Sequence, residues 1–557
     1  MSGANSLIVL PPMKTWSFRL RSSQRLILMA AMLTPSWLWA SAEVTEIGGR
    51  RELFVDQALV ESLSGGARLR LHHPTIRELA LVHDAPWEGT GSGYHSIFKD
   101  GDIYRMYYKA YQISPMHEAD PKNQAEVHPL FCAYAESDDG IHWRKPNLGL
   151  HEFNGSTDNN IVMVSGKVGS LDADAGHPAV FKDSNPDAPA DARYKAILRS
   201  REPRGLLAFK SADGLHWSPL VDRPIIVDGA FDSQNLAFWD DERGEYRAYW
   251  RFFDAGTPEK PFAGVRSIRT ATSKDFIHWE NQADLDFGDS PREHLYTNQI
   301  KPYERAPHLF IGFPTRYRER GHLDRGDAPH VGERTATPAE LVAQWPASLR
   351  ALPDLGPRLE RASAHERYGA AITEGLLMAS RDGVNFKRWN EAFLPPGIER
   401  EGTWNYGHQY LGWHVVETKS DLVGAPNELS LYAGESYWTA PGSALRRYTL
   451  RLDGFVSVEA GADGGELMTK PITFTGKTLA LNFATSAAGS VRVEIQDLDG
   501  NPLLGFALAD CEPLFGDTIE RAIRWQQGSD VSALAGRPVR LRFVLNDAEV
   551  YAYRFAP

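Results

Sequence analysis

The 557-residue chain is 42% hydrophobic and 24% charged, an ordinary globular composition at a length that suits two to four domains. Its 48 glycines and 35 prolines fit a turn-dense β protein and argue against a helical bundle. The net charge of −12 repels polyanions at long range, which excludes nucleic acid and anionic membrane as the main partners. A local basic pocket for an acidic sugar remains compatible with that charge. Two cysteines, Cys132 and Cys511, are too few for a disulfide framework and are expected to be buried free thiols.

Residues 1–42 read as a secretory signal peptide. Lys14, Arg19, Arg21 and Arg25 form a basic, acid-free start, Leu26–Ala40 is the apolar run, and Ala40-Ser41-Ala42 is a small-x-small cleavage box. The competing reading, a membrane anchor, is disfavoured because the run is short and Pro35 interrupts it. Cleavage removes four basic residues and no acidic one, taking the net charge from −12 to −16. The mature chain is expected to be secreted or periplasmic, with no membrane contact after cleavage.

Four segments then repeat one pattern: SDDGIHW (Ser137–Trp143), SADGLHW (Ser211–Trp217), SKDFIHW (Ser273–Trp279) and SRDGVNF (Ser380–Phe386). Their aromatic residues lie 74, 62 and 107 residues apart, a spacing that signals repeated supersecondary units. Ser and Asp bond a turn backbone, Gly takes its left-handed position, and the aromatic residue packs between sheets. Alternating strand-like segments accompany the turns: Asp102–Tyr111, Ala192–Ser200, Glu245–Phe253, His308–Tyr317 and Glu428–Trp438. Five small sheets predict a five-bladed β-propeller over residues 43–458. The long third interval holds an insertion at about 318–369, with a helix starting at Thr337 (N-cap) and Pro338. From residue 459 to 557, alternating segments at Pro471–Ala487, Ser490–Asp497, Gly536–Leu545 and Ala548–Phe555, with a hairpin turn at Leu498–Pro502, predict a β-sandwich. The fold class is therefore all-β, a five-bladed propeller followed by a C-terminal sandwich.

An export signal, Ser-x-Asp-Gly-x-x-Trp turns and C-terminal β segments together resemble the five-bladed β-propeller glycosidases, namely the invertase and levanase group (glycoside hydrolase family 32) and the arabinofuranosidase and xylosidase group (family 43). The chain lacks the invertase group's Asn-Asp-Pro-Asn-Gly, Arg-Asp-Pro and Glu-Cys motifs, so no catalytic residue is carried over from it. The resemblance implies a secreted hydrolase of a plant or algal oligo- or polysaccharide. A non-catalytic propeller that binds glycan or protein is the competing reading. A glycan lyase or phosphorylase would keep the fold and change the chemistry.

Glycosidic hydrolysis uses two carboxyl groups across the sugar, and the innermost strand of each blade lines the central channel. Carboxylates opening those strands are therefore the candidates. Asp232, followed by Ser233, Gln234 and Asn235, and Glu293, near His294, Tyr296 and Asn298, lead. Glu293 is assigned as proton donor and Asp232 as base or nucleophile. Asp174 with His177 is the third catalytic candidate. Glu88, His177, Gln234, Asn235, Asn298, Arg251, Arg316, Glu401 and Trp404 are candidate substrate contacts, and Tyr94, Trp404 and Tyr406 are candidate stacking platforms. No metal-ligand spacing, HExxH motif or phosphate-binding glycine loop is present, so neither metal nor cofactor is expected.

Overall fold

The computed structural model describes residues 44–112, 128–257, 260–321, 338–364, 366–438 and 442–557. The expected signal peptide and Thr337 lie outside the described residues. The chain is mostly β, and among the described residues no helix is long and apolar enough to cross a membrane.

Five antiparallel sheets follow one another along the chain. The first contains Gly93–Asp100, Ile103–Ala110, Phe131–Ser137 and Ile161–Val164. The second contains Gly166–Val168, Leu171–Lys182, Tyr194–Ser200, Gly205–Ser211 and Ser218–Pro219. The third contains Leu236–Asp240, Glu245–Phe253, Arg266–Ser273 and Trp279–Asp284. The fourth contains Lys301–Tyr303, Ala306–Gly312, Met378–Ser380 and Lys387–Arg388. The fifth contains Val416–Thr418, Glu428–Glu435 and Ala444–Arg451. Its outer strand, Thr75–Val82, comes from the other end of the chain and pairs antiparallel with Ala444–Arg451.

Side-chain and backbone bonds join the inner edges of all five sheets. Gln234 Nε2 donates to Tyr94 O, Ser96 Oγ and Pro178 O. Gln299 Nε2 donates to Gln234 Oε1 and Leu411 O. Ile97 N donates to Trp413 O, and Trp413 Nε1 donates to Ile300 O. Such a buried polar junction persists only because its groups find partners.

The four Ser-x-Asp turns are superimposable in their bonding. In each, the serine Oγ accepts from two backbone N–H groups, and the aspartate Oδ1 accepts from the second and third residues after it. The left-handed position is Gly140, Gly214 and Gly383 in three turns. In the third it is Phe276, at φ 67°, whose ring packs on Phe181 of the preceding sheet. Trp143 packs on Tyr432, Trp217 on Tyr107 and Phe386 on Tyr249. Each sheet's turn thus contacts its predecessor, and the first contacts the fifth.

One expected strand divides in two. The predicted His308–Tyr317 strand ends at Gly312 and restarts at Thr315, across Phe313 and Pro314, whose ring cannot donate to a ladder. Thr315–Glu319 joins His294–Leu295 and Ala371–Gly375 in a separate three-stranded sheet. Between them run helices α1 (Pro338–Gln344), α2 (Ala347–Ala351), α3 (Leu355–Ala364) and α4 (Glu366–Ala370).

The four predicted C-terminal segments are carried largely by two long strands, Thr478–Gln496 and Arg540–Ala556. The expected turns near 488 and 547 are a register shift between Thr485 and Ser490, opposite Asn546–Ala548. Pairing resumes beyond this bulge, so the strands bend instead of turning back. They anchor an eight-stranded sheet that also takes in Glu52–Leu53, Val60–Gly65 and Arg68–Leu71. The hydrogen bonding thus groups residues 45–71 with the C-terminal strands rather than with the first sheet. This sheet shares one core with the fourth and fifth: Phe313, Leu377, Phe393 and Leu431 lie with Phe455, Leu481 and Phe543. Buried Asp453, which accepts from Arg305 Nε at 2.8 Å, Tyr303 Oη at 2.9 Å and Asn482 Nδ2 at 3.2 Å, pins the junction. Both cysteines are free and buried.

Candidate active site

The turn bonding sets a common register for one strand in each of the first three sheets, Ile103–Ala110, Tyr194–Ser200 and Glu245–Phe253. Tyr104, Tyr194 and Tyr246 pair with the turn serines Ser137, Ser211 and Ser273. Five residues further on, at the opposite strand end, stand Lys109, Arg199 and Arg251. An odd step along a strand changes face, so these three share one face by repeat equivalence, and all three are cations.

Each of the latter two faces a carboxylate that opens its own sheet. Asp174 is buried, 3.2 Å from His177 Nδ1, 3.7 Å from Arg199 and 3.6 Å from Arg201. Burial opposes its charge, but His177, Arg199 and Arg201 hold its carboxyl well below the usual carboxylate range. Burial pushes the His177 imidazole down, so at neutral pH the two arginines carry the compensating charge. Asp232 pairs with Arg251, and its side chain is 39% exposed, which makes it the open edge of the cluster.

Around these pairs lies a wall of buried tyrosines: Tyr94, Tyr296, Tyr317, Tyr406, Tyr410 and Tyr437. Tyr94 sits 5.5 Å from the His177 ring and stacks on Tyr410. Tyr296 stacks on Tyr410 at 5.3 Å, and its hydroxyl lies 2.7 Å from that of Tyr406. Arg251 and Arg266 place their guanidiniums 5.0 and 5.2 Å from the Tyr296 ring centre. Lys109 Nζ lies 4.8 Å from the Tyr94 ring and donates to Tyr437 Oη at 3.1 Å. Burial pushes its ammonium down to about 8, with Asp174 opposing the shift. Burial by itself would raise the Tyr296 phenol; Arg251, Arg266 and Arg367 outweigh it and hold the group down at about 8. Tyr94, Tyr406 and Tyr410 are raised, chiefly by burial. Tyr94, Trp404, Ser436 and Trp438 all hold left-handed backbone at this rim, a strain that packing must maintain. The insertion packs on the same end: α3 residues Arg358 and Arg361 donate to Trp404 O and Trp438 O, and Tyr368 of α4 packs on Tyr406 and Trp438.

The other candidates are placed elsewhere. Glu293 lies 3.5 Å from Arg316 and 3.3 Å from Arg388, and Arg316 also holds Glu374. Among the described residues no ion pair or hydrogen bond joins Glu293 to Asp232. Glu88 is buried on the side of the first sheet, bonded to Tyr108, Lys145 and Ala85 N. Gln234 is part of the five-sheet junction. Asn235 donates to Phe231 O and Ser233 O and accepts from Arg251 N, while Asn298 accepts from Ile300 N. Glu401 is exposed, and the Trp404 indole donates to Gly397 O. The sequence reasoning passed over Lys109, Arg266, Tyr410 and Tyr437. Among the described residues no cluster of His, Cys, Asp or Glu is placed to hold a metal ion.

No family model and no curated protein matches the chain. Solved structures similar to it include a glycoside hydrolase family 43 arabinoxylan arabinofuranohydrolase from Bacillus subtilis in complex with cellotetraose. It is 12% identical with TM-score 0.38, over 87% of this chain and 99% of that one. An endo-arabinase from Bacteroides thetaiotaomicron is 12% identical with TM-score 0.35, over 67% and 98%. An N-acetylgalactosamine deacetylase from F. plautii in complex with blood group B trisaccharide is 11% identical with TM-score 0.39, over 68% and 94%.

Proposed function

We propose that this protein is an exported glycoside hydrolase acting on an oligo- or polysaccharide. Its five sheets form a five-bladed propeller closed by Thr75–Val82, and the eight-stranded sheet folds over as a sandwich. Residues 1–42 serve as the export signal. The observation that carries the reading is one end of the sheets, where the carboxylates of Asp174 and Asp232, each with a repeat-derived cation, meet a wall of six tyrosines. Aromatic faces suit the apolar faces of sugar rings, and charged groups gathered at one end fix hydroxyls and developing charge. Asp232, paired with Arg251 and open at the edge, is the base that activates water or the nucleophile. Asp174, enclosed by His177, Arg199 and Arg201, positions substrate or the His177 imidazole. Glu293, held between Arg316 and Arg388, supports the flank of the fourth sheet.

The test is a panel of plant and algal oligosaccharides incubated with the purified protein, with products read by mass spectrometry. The reading expects cleavage by wild type and loss of cleavage in Asp232→Asn with folding intact. Glycan binding without any cleavage across the panel would instead make the protein a non-catalytic propeller.

A further inference from the structure

The net charge of the chain is −12, yet the tyrosine end gathers Lys109, Arg199, Arg251, Arg266 and Arg367, with the carboxylates of Asp174, Asp232 and Glu319 beside them. Arg251 and Arg266 are 3% and 2% exposed. Among the described residues, Arg251 Nη1, Arg266 Nε and Tyr410 Oη are buried without a hydrogen-bond partner. A buried cation with an unmet donor is costly; such donors also occur at Arg105, Arg247 and Arg388, but among the described residues only here do two of those guanidiniums lie on one ring, that of Tyr296. An anionic ligand supplies acceptors to them that a neutral sugar hydroxyl matches less strongly. Resting on the hydrolase reading above, we propose that the substrate is an acidic glycan, carrying a carboxylate or sulfate lodged against Arg251 and Arg266, and that Tyr296 is the catalytic proton donor in place of a second carboxyl group.

Geometry ties the two roles together. Arg251 touches both the Asp232 carboxylate and the Tyr296 ring, so one guanidinium orders both reacting groups beside the anion. In the step, Tyr296 gives its phenolic proton to the glycosidic oxygen as the bond from that oxygen to the anomeric carbon breaks. Water adds its oxygen to the anomeric carbon and passes a proton to Asp232, and that proton returns through solvent to Tyr296. Bonds and protons balance to a net hydrolysis. A phenol at about 8 is protonated at neutral pH and acidic enough to donate, the match that general acid catalysis requires. The charged and titratable groups facing Tyr296 are Arg251 and Arg266 of the third sheet, Arg367 of α4, Tyr317 of the three-stranded sheet, Tyr406, Tyr410 and Tyr437 of the fifth sheet's side, and Tyr94 of the first. Lys109 also titrates near 8 and must be separated from Tyr296.

The experiment has a cleavage arm and a binding arm. Uronate-containing, sulfated and neutral oligosaccharides are compared as substrates. D-glucuronate, galactose 6-sulfate and neutral galactose are titrated calorimetrically into wild type, Arg251→Lys and Arg251→Gln. Cleavage confined to acidic substrates, with kcat in Tyr296→Phe reduced about 100-fold or more at near-constant KM and intact folding, supports the proposal. So does loss of activity above pH 8 that persists in Lys109→Arg and vanishes in the residual activity of Tyr296→Phe. Binding of an acidic sugar weakened at least about tenfold by either Arg251 variant supports the anion site, and the preferred probe identifies carboxylate or sulfate. Neutral substrates cleaved as fast as acidic ones, or full turnover by Tyr296→Phe, overturn the proposal while leaving the hydrolase reading standing. If no glycan is cleaved but Arg251-dependent binding of acidic sugar is found, the hydrolase reading falls and the anion site stands. Equal binding of galactose and glucuronate overturns the anion site.

Discussion

The strands that begin at or beside Tyr104, Tyr194 and Tyr246, one in each of the first three sheets, end in two very different ways. At one end, Tyr104, Tyr194 and Tyr246 meet the Ser-x-Asp turns, where each serine and aspartate is bonded in the same pattern. At the other, about 17 Å along the strand, Lys109, Arg199 and Arg251 enter a cluster with unmet donors, left-handed non-glycine residues and tyrosines on both sides of their usual pKa. The turn end repeats one serine and aspartate bonding pattern, so it reads as stability, although the Trp143 and Trp279 indoles are buried there without a hydrogen-bond partner. The tyrosine end breaks the repeat: the first sheet contributes Tyr94, the second His177, the third Asp232 and the fifth Tyr406 and Tyr410. Polar groups are left wanting there, as expected where a ligand completes the structure.

That contrast predicts separable losses. The largest stability effect belongs to the junction beneath the site. Trp413 is fully buried and donates to Ile300 O. Trp413→Ala should cost about 3–5 kcal/mol by urea unfolding, with loss of activity following loss of fold. Asp232→Asn should cost less stability than that, about 1–3 kcal/mol for the ion pair it removes from buried Arg251, and cut turnover at least about 100-fold, because the residue lies at the open edge of the cluster. A variant equally damaged in both measurements would erase the distinction between the two ends.

Away from both ends, Glu52 offers a pH-dependent marker of the sheet junction. Burial opposes its charge, but His308 and Arg381 hold its carboxyl down at about 2, from 4.5. A depressed carboxylate contributes stability above its unfolded pKa and loses it as pH falls through the folded one. Stability should therefore drop between pH 4.5 and 2 by on the order of 2 kcal/mol through this group. Glu52→Gln should be weaker at neutral pH and lack that part of the acid slope. The smallest effect is at the turns, where Asp213→Ala removes acceptors for Leu215 N and His216 N and should cost about 1 kcal/mol with catalysis untouched.

Sequence and structure agree most closely at the turn end. The Ser-x-Asp pattern located all four turns, and Glu245–Phe253 begins and ends where its alternation does. Local chemistry specifies such features. The C-terminal turns near 488 and 547 were misread because Gly489 and Asp547 also suit a bulge, and only pairing across the sheet decides between bulge and turn. Asp174 with His177, and Asp232 as an acid opening a strand, are legible in the sequence; the pairing of Asp232 with Arg251 is not, because Arg251 stands on the following strand. Glu293 and its neighbour Tyr296 are placed differently. One position opens the strand and lies between Arg316 and Arg388, the other enters the tyrosine cluster. A usable signal was present: Tyr-basic-x-x-x-basic recurs at Tyr104–Lys109, Tyr194–Arg199 and Tyr246–Arg251. Aligned on the turn serines, it places three cations at one end. Arg266, Tyr410 and Tyr437 carry no such pattern, since they arrive from separate strands and loops.

The most direct measurement is mass-spectrometric product analysis of matched acidic and neutral oligosaccharides incubated with wild type and with Asp232→Asn. The account predicts shortened acidic oligosaccharides with wild type and intact ones with the variant, at equal folded fraction by circular dichroism. Equal cleavage by the two proteins, or no cleavage of any oligosaccharide by wild type, would contradict it.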